Sequence, residues 1–141
     1  MTPFDTALRV QRREVDSMKV SISVEVETIA SLSHQTLAHE VRMREERALA
    51  ATIPVVSDAW RMRMKAERAR LDQQAQLAQV RLIHLRAQAV EAYGTMRAIE
   101  GAAGRFKDEA ERVAASAEQT QIDDIAAAKL IRARRASERE A

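Results

Sequence analysis

The chain has no cysteine, and glycine, proline and aromatic residues are scarce: three glycines, two prolines, one tryptophan, one tyrosine and two phenylalanines in 141 residues. Each shortage excludes something. Without cysteine there is no disulfide framework and no thiolate metal site, a pattern compatible with a reducing cytosol. So few large side chains and turn residues do not describe a globular core, and any buried layer must be a thin seam. No apolar run approaches the ~18 residues that read as a membrane span. The N-terminal MTPFDTALRVQRREVD also lacks the apolar centre of a signal peptide. The expectation is a soluble, cytoplasmic protein.

Alanine, glutamate, arginine, glutamine and leucine dominate instead, and 31% of the residues are charged. That is the composition of long helices. The formal charge of +2 is nearly balanced and argues little for nucleic acid.

One place interrupts the helical pattern. Pro54 fixes φ, removes a backbone donor and biases Ile53 away from the α region, so a helix arriving through Leu49 and Ala50 ends by about residue 52. Ser57 and Asp58 then supply a cap and an acidic first turn for a second helix. The predicted organisation is a single coiled-coil domain over 1–141, with helix 1 about 3–52, a tip about 53–57 and helix 2 about 58–138. Thr2 is the expected cap of helix 1, with Pro3 at its first position.

Both helices carry heptads. On helix 1, Phe4, Leu8, Val15, Met18, Ile22, Ile29, Leu32, Thr36, Met43 and Ala50 follow alternating three- and four-residue steps, interrupted at Gln11, Glu25, His39 and Glu46. Val20, Val24, Val26 and Leu37 widen the stripe towards a third helical segment or a partner protein. Val20 to Val26 alone would suit a strand, but no second strand exists to pair with it, so helix is preferred.

On helix 2 one line reads Met64, Leu71, Ala78, Leu85, Ala92, Ile99, Phe106, Val113. Its companion reads Ala75, Leu82, Ala89, Met96, Ala103, Ala110, Ala117, with Arg68 a misfit near the start. This sustained repeat argues for a left-handed coiled coil, and the alanines for close approach of the helices. Gly94, Gly101 and Gly104 mark a weak point, read as small residues at a close crossing or slight bend of a continuous helix in preference to a true break that folds the C-terminal third back. Beyond Ala117 the phase shifts, with Ile122, Ile125, Leu130 and Ile131 off the earlier line.

The fold class that follows is all-α, two long helices forming an antiparallel coiled-coil hairpin. Helix 1 offers about 50 residues and helix 2 about 80. Helix 2 should therefore overhang at the C-terminal end, roughly Glu109 to Glu138.

No catalytic constellation emerges. His34 and His39 lie five residues apart, on different helix faces, and suit no metal pair. Carboxylate pairs such as Asp123 with Asp124 read as solvated helix surface. The Gly101 to Gly104 GxxG follows no strand and supports no phosphate loop. The expectation is no enzyme, no cofactor, no metal and no small-molecule substrate. Basic clusters at Arg9, Arg12, Arg13, at Arg61 to Arg70 and at Lys129 to Arg135 are interleaved with acids and lack stacking aromatics, which disfavours nucleic acid.

Three features together resemble a known family. They are an N-terminal F-x-x-x-L with Arg9, Arg12 and Arg13, a mid-chain tip with Trp60 just beyond it, and a terminal Gln119, Asp123, Asp124, Ile125, Ala126 pattern followed by Arg132, Arg134 and Arg135. The chain is similar, over nearly its whole length, to the flagellar export protein FliJ and its injectisome counterpart YscO. That resemblance implies an antiparallel two-helix stalk whose paired ends enter the hexameric ring of the export ATPase. The region beyond the tip would engage the export-gate membrane protein, with export chaperones as further partners and peripheral association with the inner membrane. The implied ATPase-facing residues are Arg9, Arg12, Arg13, Asp123, Asp124, Ile125, Arg132 and Arg135, and the gate-facing ones Trp60, Met64, Arg68 and Leu71. In RMRMKAERARLDQQAQ the gate-facing stretch carries fewer large apolar residues than in several relatives. The competing classes are a homo-oligomeric structural coiled coil and a basic helical nucleic-acid binder.

Overall fold

The computed structural model describes residues 2–52 and 58–141; the predicted tip, 53–57, lies outside the described residues. The fold is all-α. Helix α1 spans Asp5–Thr52 and α2 spans Asp58–Glu140, and the two pack against each other with no strand among the described residues. The stretch Val20 to Val26 is helical. No described helix is long and apolar enough to cross a membrane.

The start of α1 differs in detail from the simple cap. The first α-helical bond runs from the Leu8 amide to the Phe4 carbonyl, and a turn precedes it in which the Asp5 amide donates to the Thr2 carbonyl at 3.2 Å. The Asp5 carboxylate in turn accepts the Thr2 amide and the Thr2 hydroxyl, each at 2.8 Å. Thr2 thus donates its hydroxyl rather than capping with it, and the acidic residue three positions on satisfies an amide that the helix would leave open.

Contacts divide the chain into two units, one combining the N-terminal segment through Arg9 with Met96–Ala141, the other being Val10–Thr95. In the second, α1 and α2 run antiparallel. As the α1 partner falls from Glu40 to Glu25, the α2 partner rises from Arg68 to Arg81. Leu32, Leu71 and Ala78 form its core, with Ile29 and Ala75 packed against them. Every position of the helix 1 heptad line is buried or half-buried, including the interruptions Gln11, Glu25, His39 and Glu46. Gln11, Glu25 and Glu46 are only half-buried, so their polar ends can reach the water at the edge of a thin seam, whereas His39 is buried.

In the other unit, Leu8 is buried and the Phe4 ring meets Phe106 edge-on, centroids 6.0 Å apart. From Gly104 to Ala141 every residue is exposed. The heptad line that is half-buried at Met96, Ile99 and Ala103 therefore continues without cover through Ala110, Val113 and Ala117, which is the expected overhang.

Helix α2 is continuous through all three glycines. They do not mark a close crossing, however. A Cβ at Gly94 or Gly104 would meet nothing within 4 Å, and at Gly101 only the tip of Arg105. The reason lies in the register, since Gly94 falls between the seam residues Ala92 and Met96, on the outward side of the helix.

Candidate functional site

Among the described residues a concavity lies in Val10–Thr95, where α1 residues between His39 and Arg47 face α2 residues between Arg61 and Asp72 across a cleft of about 710 Å³. Met43, Met64 and Ala69 supply its apolar wall, and Arg44, Arg47, Arg61, Lys65 and Arg68 its cations. Glu40 and Asp72 are the carboxylates among its described lining. A second cleft alongside is lined by Met43, Glu46, Arg47, Ala50, Trp60 and Arg61.

His39 forms part of the cleft wall although only 3% of it is exposed. Its Nε2 lies 3.0 Å from the Met64 carbonyl oxygen, an acceptor, so the Nε2–H is the donor and Nδ1 is left with a lone pair. Nδ1 is buried and has no partner among the described residues.

Arg68 gathers both carboxylates of the cleft. Its Nη1 donates to Glu40 Oε1 at 2.7 Å across the helices, and its Nε to Asp72 Oδ1 at 3.1 Å on its own helix. The bond from Arg68 holds the Glu40 carboxyl below its ordinary value, and the same bond raises the Arg68 guanidinium. The other four cations make no side-chain hydrogen bond or ion pair among the described residues. Arg44 also lowers the Glu40 carboxyl through its charge, and the cleft carries more cations than carboxylates among its described lining.

The residues implied to face an export gate converge on this part of the chain in different ways. Met64 and Arg68 line the cleft, Trp60 is half-buried in its neighbour, and Leu71 is 2% exposed in the helix–helix core, where it touches Leu32 and Ala78. Of the residues implied to face an ATPase, Arg9, Arg12 and Arg13 are exposed on α1, and Asp123, Asp124, Ile125, Arg132 and Arg135 on the uncovered part of α2. Asp123 accepts the Gln119 amide at 2.9 Å, a bond within one helix turn. Periodicity placed His39 on the seam line but did not reveal its bond to Met64 or the cleft around it. The available signal was a polar side chain at a buried heptad position.

Comparison with protein-family models, curated proteins and solved structures finds no match.

Proposed function

We propose that the protein is a non-enzymatic stalk of a type III protein export apparatus, flagellar or injectisome, linking the hexameric export ATPase to the export gate, with export chaperones as further cargo. The observation that carries the reading is the uncovered part of α2. From Asp108 to Ile125 it holds six carboxylates against one arginine, and from Ala126 to Ala141 five cations against two carboxylates. A helix so exposed and so divided in charge is suited to insertion between other subunits, because a long lone helix has little stability of its own in water. The resemblance of the terminal motif around Asp123 and Asp124 supplies the ATPase as partner, and peripheral association with the inner membrane follows from that partner. Co-purification with the export ATPase tests it: charge reversal at Arg9, Arg12 and Arg13 should abolish the complex and impair export, and an unchanged complex would defeat the assignment.

A second reading, a homo-oligomeric coiled coil, draws on the exposed Val113, Ile122, Ile125, Leu130 and Ile131. A strict monomer in sedimentation equilibrium at micromolar concentration would remove it.

A further inference from the structure

We infer that the uncovered part of α2 is a pairing surface for a second copy of this chain, which lies antiparallel to the first about a two-fold axis between Ile122 and Ile125.

The surface is one stripe of the exposed helix. Alternating three- and four-residue steps place Asp108, Glu111 and Glu118 at one end of it, Ile122 and Ile125 at its middle, and Lys129, Arg132 and Arg139 at the other end. Ala115 and Ala136 fill the two remaining steps. Every residue of the stripe is exposed, the two isoleucines at 52% and 57%. None of its six charged side chains makes a hydrogen bond or ion pair among the described residues. Several charges off the stripe are instead satisfied within the helix: Arg112 meets Glu109 at 3.6 Å, Arg134 meets Glu138 at 3.4 Å, and Asp123 accepts the Gln119 amide.

The order of charge selects the occupant. A partner surface of one sign matches half of the stripe and repels the other half. A parallel copy sets Glu118 against Glu118 and Arg132 against Arg132. An antiparallel copy reverses the order, so that Asp108 faces Arg139, Glu118 faces Lys129 and Ile122 faces Ile125. Ala136 then lies opposite Glu111, and Ala115 opposite Arg132. Each alanine leaves room for the long stem facing it, and the charged ends meet opposite charge one step away: Glu111 between Arg132 and Arg139 of the second copy, Arg132 between its Glu111 and Glu118. Apolar burial at the centre is confined to the two isoleucines, so charge sets the orientation.

This pairing rests on the homo-oligomeric reading and is independent of the export role. The test uses the full chain. Sedimentation equilibrium should find a dimer at micromolar concentration that weakens with salt. Asp108→Lys with Glu111→Lys and Glu118→Lys makes the charges of the stripe uniformly basic, and Lys129→Glu with Arg132→Glu and Arg139→Glu makes them uniformly acidic. Each triple variant alone should associate at least about tenfold more weakly at unchanged circular dichroism, and an equimolar mixture of the two should recover the dimer. Disulfide trapping reads the orientation, because the chain has no cysteine of its own. Glu111→Cys mixed with Ala136→Cys should give a cross-linked pair, and neither should link to itself. A strict monomer of wild type removes both the pairing and the homo-oligomeric reading. A dimer that both triple variants keep at wild-type strength sustains that reading and overturns this surface. Self-linking of either cysteine variant, or no link between the two, overturns the antiparallel arrangement.

Discussion

His39 on α1 donates its Nε2–H to the carbonyl of Met64 on α2 across 3.0 Å, and this bond joins the helices where the seam gives way to the basic cleft. The Met64 carbonyl lies in the interior of α2, where the helix supplies its own donor. The imidazole therefore adds a bond rather than rescuing an orphan.

That geometry makes two His39 substitutions diverge. His39→Ala removes buried volume and the cross-helix bond, and should cost about 2 kcal/mol. His39→Leu also removes the bond, but eliminates the unpartnered Nδ1 and extends the apolar seam, so stability should hold or rise. Urea denaturation followed by circular dichroism separates the two, and equal destabilisation by both would show the bond itself to be essential.

Acid should loosen the hairpin by a route the carboxylates define. The Glu40 carboxyl is held below its ordinary value of 4.5 chiefly by the hydrogen bond from Arg68, and Asp5 below 3.8 chiefly by the Thr2 hydroxyl. For each, the unfolded chain takes up the proton at higher pH than the folded one. Their contribution is therefore complete above the unfolded values and is lost as pH falls from about 4.5 through the lower folded values. Melting temperature should fall in that window, and Glu40→Gln should flatten the profile there without altering its shape above pH 6. A variant as acid-sensitive as wild type would show that the ion pair is thermodynamically silent.

The heptad lines were legible because a repeat of three and four steps reports directly which side of a helix is covered. Gln11, Glu25 and Glu46 look like interruptions but sit half-buried in the seam, since position outweighs polarity where side-chain ends remain near water, and His39 is buried there with its Nε2–H bonded to the Met64 carbonyl. The pairs Glu40–Arg68 and His39–Met64 were not legible. They depend on the axial stagger between two helices, which the period of either one does not contain. The glycines were half legible, since the continuity of α2 was expected but a close crossing was not borne out.

Because open space surrounds Gly94 and Gly104 and neither has a positive φ, alanine at either site should stabilise. Each replacement should add about 0.5–1 kcal/mol through a less flexible unfolded chain and a better helix former. Chemical denaturation measures it. Destabilisation at Gly94 would imply that another chain approaches that outward face.

Burial separates two leucines of α2. Leu71, 2% exposed, touches Leu32 and Ala78, whereas Leu130 is 74% exposed. Leu71→Ala should cost about 2–5 kcal/mol, because both the contacts and the filled volume are lost. Leu130→Ala should change stability by less than about 0.5 kcal/mol. Similar losses at both sites would mean that the uncovered part of α2 is buried in solution by a second copy.

Truncation after Asp108 addresses the uncovered helix as a whole. It retains Phe106, whose ring meets Phe4, and deletes only residues that are exposed and lie outside every heptad position covered by α1. The unfolding transition of the remaining hairpin should move by no more than a few degrees, because the deleted segment buries no apolar area whose loss could lower it. Helical signal should fall in proportion to the residues removed. Under the export-stalk reading, the same truncation should abolish co-purification with the ATPase. An ATPase complex that survives the truncation would transfer the interface to another part of the chain and leave the charge-divided helix without the role proposed for it.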